Sequence, residues 1–556
     1  MSSVLPLPLG DASPGFLDKE RIIAGAGFNR WLVPPAALAI HLCIGMAYGF
    51  SVFWLPLSKT LATAGAGAQS CKGIGFFAEM FATNCDWTVA TLGWMYTLFF
   101  VFLGCAAALW GGWLERAGPR KAGVVAALCW CGGMLISALG IHLHQFWLMI
   151  LGSGVIGGIG LGLGYISPVS TLIKWFPDRR GMATGMAIMG FGGGAMIGSP
   201  LAVDLMKHFA TPTTTGVLET FVVLALVYFV FMLGGAFGYR VPATDWRPAG
   251  WTPPVTQRNN AMITQRHVHV NKVWGIPQFW LIWLALTMNV SAGIGVIGMA
   301  SPMLQEVFGG NLIGVAKKFG ELDKSQLLAI AAVAGGFTAL VSLFNIAGRF
   351  FWASMSDKFG RKMTYSIFFM LGMLLYASLP GSAAAGSKLA FVLAVCIIVS
   401  MYGGSFSTVP AYLADIFGTQ FVGAIHGRLL TAWSTAGIVG PVVVNYMREY
   451  QLGLGLPRAQ VYNQTMFILV GLLLVGLICN LLVRPLNDKW FMTDAELAEE
   501  KRLAHEKALV QESGTAGMAR DERTPTIKVV LAWLVVGIPL AWGVYRTLLG
   551  AAKFFH

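Results

Sequence analysis

Apolar residues along this chain gather into thirteen runs, each long enough for a helix to cross a bilayer core about 30 Å thick, which takes about 20 residues. The runs lie near 33–57, 87–113, 122–141, 146–173, 182–206, 219–239, 277–302, 326–352, 363–380, 388–412, 427–447, 463–484 and 527–549. Short charged stretches such as "WLERAGPRK", "KWFPDRRG" and "SDKFGRK" separate some of them, and a polar connector occupies 240–276. The pattern predicts an all-α membrane protein. Its parts are an N-terminal segment (1–32), a six-helix bundle (33–239), the connector, a second six-helix bundle (277–485), a polar tail (486–526) and an extra transmembrane helix (527–556).

Composition agrees. The 556 residues are 56% apolar and 11% charged, with mean hydropathy +0.67, whereas soluble chains carry about 25% charged residues. The first 30 residues hold Asp11, Asp18 and Glu20 and no apolar core, so no cleavable signal peptide is expected. Most of the 38 Lys and Arg fall on one side of the thirteen spans. The positive-inside rule then places the N-terminus and connector in the cytoplasm of an inner (plasma) membrane protein. Arg520, Arg523 and Lys528 lie at the start of the last span, which puts the C-terminus on the periplasmic side. The net charge of +13 follows from this asymmetry and from lipid headgroups, so it is no footprint of nucleic acid. Most of the eight cysteines sit singly in spans, as small buried hydrophobes do. Cys71 and Cys85 instead share an outward loop. An oxidising outer face permits a disulfide there without requiring one.

The chain also repeats itself. "ERAGPRK" (115–121) matches "DKFGRK" (357–362), Pro168 matches Pro410, and "GMAIMGFGGGAMIGSP" matches "GRLLTAWSTAGIVGP", with Gly185 and Gly427 242 positions apart. Two six-helix halves at one offset are the pattern of a transporter built from parallel repeats, with its site at the midplane between them. Runs such as "GSGVIGGIGLGLG" supply the small-residue spacing that lets helices pack closely.

The paired loops "GGWLERAGPRK" and "ASMSDKFGRK" resemble the cytoplasmic loop signature of the major facilitator superfamily. That resemblance implies a conformational latch formed by Glu115, Arg116, Arg120, Asp357, Lys358 and Arg361. "KWFPDRRGMATG", "NVSAGIGVIGMASPM", "FNIAGRFFWASMSDKFGR" and "YGGSFSTVPAYLADIFG" are more narrowly similar to the oxalate:formate antiporter family, over nearly all of 30–485. This likeness implies exchange or uptake of small carboxylates such as oxalate, formate, pyruvate or lactate, with no cofactor.

Arg349 is the focus. It precedes Asp357 by eight residues, so a rise of 1.5 Å per residue lifts it about 12 Å above the loop, near the midplane. A cation there is costly unless it faces a cavity and finds a partner. Apart from Glu219 at the first position of the sixth, the sequence offers one acid within a predicted span, Asp204, near the outward end of the fifth. Arg349 therefore reads as a clamp for a substrate carboxylate, using its planar donor fork, and the family resemblance assigns this position to substrate binding.

The oxalate-specific member of that family carries a lysine in the eleventh span, and the resemblance aligns Trp433 with it. Arg428, five residues earlier, is a weak second cation. One midplane cation suits monoanions better than oxalate. The resemblance adds Tyr48, Tyr165, Phe191, Tyr402 and Phe406 as aromatic lining, and Asn289 and Asn345 are possible hydrogen-bond donors or interhelical links. No carboxylate occupies a central position, which favours anion exchange or uniport. His41 keeps a proton-linked symporter as the alternative, with a transporter-like sensor behind it. No metal spacing, phosphate loop or nucleophile elbow supports an enzyme. Small carboxylates and the bilayer are the expected partners, with the protein a monomer, and the last span resembles a small single-helix protein that accompanies such transporters. Its expected packing is against one half.

Overall fold

The computed structural model describes residues 15–65, 69–243, 246–250, 262–264, 266–418, 420–513 and 523–552. Among them thirteen helices are long and apolar enough to cross a membrane: α1 Arg30–Leu57, α2 Val89–Ala117, α3 Pro119–His142, α4 Phe146–Trp175, α5 Arg180–Phe209, α6 Val217–Gly238, α7 Pro277–Gly298, α8 Lys324–Phe359, α9 Arg361–Ala384, α10 Lys388–Phe417, α11 Val422–Gly453, α12 Arg458–Leu482 and α13 Thr526–Ala552. Several run past their predicted ends. Hydropathy falls where the last turns leave the hydrocarbon, but helix hydrogen bonding continues. Thus α8 extends through the charged turn to Phe359 and starts from a capping box, in which Asp323 accepts from the Gln326 N–H at 2.9 Å and Gln326 returns the bond.

The internal repeat is visible in the backbone. Gly118 between α2 and α3 and Gly360 between α8 and α9, 242 positions apart, adopt φ +84° and +85°, a conformation that L side chains rarely take. Both loops turn the chain straight back into the next helix. The glycines of α4 do what their spacing predicts. A Cβ at Gly160 would lie 2.5 Å from the Trp130 backbone N, and one at Gly162 2.5 Å from Leu103 O.

Three features depart from the sequence reading. The seventh span is not a single rod ending near 302. After α7 a nine-residue helix, Ala300–Phe308, carries Glu306 into the protein, where it is 2% exposed. Glu306 lies past the end of the seventh span at Gly298 and is nonetheless buried. The polar tail forms a helix, Asp494–Ser513. And α13 packs against both halves rather than one. Trp533 Nε1 donates to Trp31 O at 3.1 Å at the start of α1, and Gly543 lies on Ile197 of α5. Arg546 pairs with Asp204 of α5 at 2.6 Å, while Gly550 meets Gly336 of α8. The loop between α1 and α2 contains the Cys71–Cys85 disulfide.

Candidate functional site

Close helix packing brings Arg349 to the centre. On α8, a Cβ at Gly348 would lie 2.0 Å from Ser400 O, and on α10 a Cβ at Gly403 would lie 2.3 Å from Asn345 O. These two glycines therefore let α8 and α10 touch along their backbones. Across the halves, Gly192 of α5 faces the Arg349 Nε and the Asn345 Oδ1; a Cβ there would meet them at 3.0 and 3.2 Å. Ser342 Oγ donates to Gly192 O, fixing α5 against α8 one turn away.

Arg349 is 2% exposed. Its Nε donates to Asn345 Oδ1 at 3.1 Å, and its guanidinium carbon lies 5.8 Å from the Phe406 ring centroid, within range of a cation–π contact. Among the described residues, Nη1 and Nη2 have no hydrogen-bond partner, and no carboxylate forms an ion pair with Arg349. Desolvating a guanidinium without satisfying its donors is costly, and two of the Arg349 nitrogens are in that state among the described residues.

The predicted aromatic set surrounds it. Trp433 of α11 has its ring centroid 4.5 Å from Phe406, 5.1 Å from Tyr165 and 5.6 Å from Phe191. Tyr48 lies 4.9 Å from Phe191, and its hydroxyl and that of Tyr402 share a 2.8 Å hydrogen bond across the halves. Each of these six rings is at most 2% exposed, so the box is closed to solvent in this conformation. Tyr165 Oη and Trp433 Nε1 are also buried without a partner among the described residues. Tyr48, Tyr165 and Phe191 come from the first half, and Arg349, Tyr402, Phe406 and Trp433 from the second.

Other predicted residues fall elsewhere. Asn289 stands one turn before Gly293, which packs on Tyr402, and its Nδ2 has no partner among the described residues; this places it beside the box. Arg428 lies away from the box. Its guanidinium donates to Val270 O and, at 3.1 Å, to Asn271 Oδ1 of the connector. The second-cation expectation is thereby corrected. His41 Nε2 lies 3.1 Å from Tyr165 O and its ring stacks on Tyr165 at 5.5 Å, one layer behind the box.

The loop residues make local ties. Arg361 pairs with Asp357 and, at 3.7 Å, with Asp415 at the end of α10. Arg120 donates to Phe16 O at 3.1 Å and Phe237 O at 3.3 Å. Lys358 is exposed, and the side chains of Glu115 and Arg116 lie outside the described residues. The first-half counterpart of the Asp415 contact uses another helix: Asp178 receives Arg30 at 2.7 and 2.9 Å, which holds its carboxyl below the ordinary value.

Sequence reasoning missed the Glu306 cluster. Glu306 accepts from Arg448 Nε at 2.8 Å, from Arg458 at 2.6 Å and from the Tyr462 hydroxyl at 2.7 Å. The available signal was two arginines and one acid near the ends of three spans.

Comparison with known proteins fits this architecture. The Major Facilitator Superfamily model matches residues 37–441. The chain is 27% identical to the oxalate:formate antiporter of Oxalobacter formigenes over 285 residues, 51% of this chain and 59% of that protein. It is also 27% identical to apicoplast pyruvate carrier 1 of Toxoplasma gondii over 343 residues, 53% and 59% of the two chains. The match thus spans 59% of the length of either relative. Among solved structures, a D-xylose–proton symporter aligns with TM-score 0.56 at 14% identity, over 81% of this chain and 98% of that one. A bacterial homologue of the human lysosomal transporter Spinster, in an inward-facing conformation, aligns with TM-score 0.55 at 15% identity, over 82% and 98%. At such identities the likeness shows the fold alone. The family match reaches from α1 into α11, across most of the length, and the chain belongs to the major facilitator superfamily.

Proposed function

We propose that this protein is a secondary transporter that moves small carboxylates across the inner membrane by alternating access, and that Arg349 is its anion anchor. The observation that carries the reading is a buried guanidinium with both terminal nitrogens unpartnered among the described residues, inside an aromatic box assembled from both halves. A carboxylate bound there would accept two parallel N–H bonds, with Tyr165 and Trp433 available to donate to its polar end and the rings to contact its carbon skeleton. The relatives named for oxalate:formate exchange and pyruvate transport, and a more distant one named monocarboxylate transporter 13 from Bos taurus, support the substrate class.

Short monocarboxylates (formate, pyruvate, lactate) suit the box better than oxalate. Trp433 stands where the oxalate-specific relative is expected to carry a lysine, and Arg428 is committed to the connector. Exchange or uniport is the proposed mode. The buried His41 beside Tyr165 is what favours a proton-linked alternative. The Asp357–Arg361–Asp415 group and its first-half counterpart are proposed as latches on the cytoplasmic face, with the protein acting as a monomer.

Counterflow in proteoliposomes with labelled formate, oxalate, pyruvate and lactate tests this reading. Arg349→Ala should abolish uptake of every substrate, and retained transport would sink the anchor role. Trp433→Lys should shift preference toward oxalate, and an unchanged profile removes Trp433 from the site. Uptake that follows an imposed pH gradient and loses that dependence in His41→Gln would select the proton-linked mode.

A further inference from the structure

At the face that carries the N-terminal segment, α1, α6 and α13 enclose a groove of about 970 Å³. This is at the upper end of small-molecule pockets, roughly 300–1,000 Å³, and far larger than a lone inorganic anion requires. Its walls are apolar helix faces, and its mouth carries four cations, Arg21, Arg240, Arg523 and Lys528, with no acid among the lining residues. Among the described residues, none of the four forms an ion pair.

The mouth is built rather than accidental. The N-terminal segment runs beside the chain leaving α6, with Ala24 N donating to Val241 O and Val241 N to Ile22 O, both at 2.9 Å. The start of α13 is tied to the same segment: Thr524 N donates to Gly27 O at 3.1 Å and Thr524 Oγ1 accepts from Asn29 N at 3.0 Å. Arg240 is held at the rim by Phe237 O and Tyr239 O, at 3.2 and 2.9 Å, both through Nη1. The depth comes from α6, where Gly234 leaves space: a Cβ there would meet nothing within 4 Å.

We infer that this groove is a binding site for an anionic glycerophospholipid of the leaflet on the N-terminal face, with its phosphate among the four cations and its acyl chains along α1, α6 and α13. Charge complementarity selects an anionic headgroup, and the apolar walls select a molecule with hydrocarbon attached. The site needs α13 and the residues leading into it, which together supply two of the four cations and one wall. A role for the appended helix follows: it completes a lipid site that the twelve-helix body lacks.

Native mass spectrometry of the full-length protein in detergent tests this, with phosphatidylglycerol or phosphatidylcholine added and glycerol 3-phosphate as competitor. Phosphatidylglycerol should be retained at least tenfold better than phosphatidylcholine. The double substitution Arg523→Gln/Lys528→Gln should abolish that preference, whereas Arg523→Lys should keep it. Gly234→Phe should reduce retention of both lipids by filling the groove, and its unchanged thermal melting will exclude misfolding. Equal retention of the two lipids by the wild type, or a preference that survives the double substitution, overturns the proposal. Displacement by glycerol 3-phosphate at lipid-equivalent concentration overturns it as well, since the site would then recognise phosphate alone.

Discussion

Asn345 offers the sharpest test of how Arg349 is presented. Its Oδ1 accepts from Arg349 Nε at 3.1 Å, with both residues at most 2% exposed, so one bond fixes the guanidinium while Nη1 and Nη2 face the box. A hydrogen bond to a charged group contributes roughly 1.5–3 kcal/mol, and each 1.4 kcal/mol is about tenfold in affinity. Asn345→Ala should therefore raise KM by about 10- to 100-fold. Asn345→Asp keeps the shape but places a carboxylate against the anchor. At about 4 Å and an effective dielectric constant near 20, that attraction is roughly 4 kcal/mol. The substrate carboxylate must then compete against a resident one, at a disadvantage of about a thousandfold. Counterflow kinetics in proteoliposomes, with thermal melting as a control for folding, should rank the variants Asn, Ala, Asp in order of rising KM. An Asp variant whose KM stays within tenfold of the wild type would refute the argument.

Other regions make independent predictions. Glu306→Gln leaves Arg448 and Arg458 facing an amide, and breaking a buried ion pair costs about 3–5 kcal/mol; because Arg448 keeps Glu449, the loss should sit at the lower end and, for a chain of 556 residues, appear as a fall of roughly 2–3 °C in melting temperature, with a change under about 0.5 °C arguing against a structural role. The Asp178 carboxyl is held below its ordinary value by the Arg30 hydrogen bonds, so the pair stabilises the fold above about pH 4 and stops doing so as pH falls through the folded-state value. Asp178→Asn should accordingly melt lower than the wild type at pH 7, and the gap should close below about pH 4; a gap independent of pH would contradict the linkage. A Gly336→Cys/Gly550→Cys pair should form a disulfide under mild oxidation, detected as a linked peptide by mass spectrometry, because Gly550 and Gly336 touch; no linked peptide would mean that α13 does not reach α8.

Much of this was legible along the chain. Twenty-residue apolar runs define membrane helices because hydrocarbon forces every backbone group to bond within its own segment. The 242-residue offset likewise paired the two charged loops, and the structure shows a positive-φ glycine in each, Gly118 and Gly360. Arg349 stood out for the same reason: a midplane charge is expensive, and its depth follows from helix rise alone. The aromatic members were named through family resemblance, and the structure brings them into one box.

What the linear pattern did not carry is which long-range partners meet. Glu306 lay just past a predicted span, and its partners Arg448, Arg458 and Tyr462 are more than 140 positions away in sequence; only folding makes that acid a satisfied one. Arg428 was a weak second cation five residues from Trp433, and in the fold its guanidinium is taken up by Val270 O and Asn271 Oδ1 of the connector. Helix α13 has a hydropathy signal like the other spans, and that signal reports burial in lipid without naming a neighbour. Its bridge between α1, α5 and α8 depends on Gly543 and Gly550 meeting Ile197 and Gly336. The sequence by itself determined how many helices are long and apolar enough to cross, because that depends on local periodicity and the thickness of the bilayer. The tertiary structure alone decided which side chains share a cavity, because packing is set by pairs of surfaces that have no fixed separation along the chain.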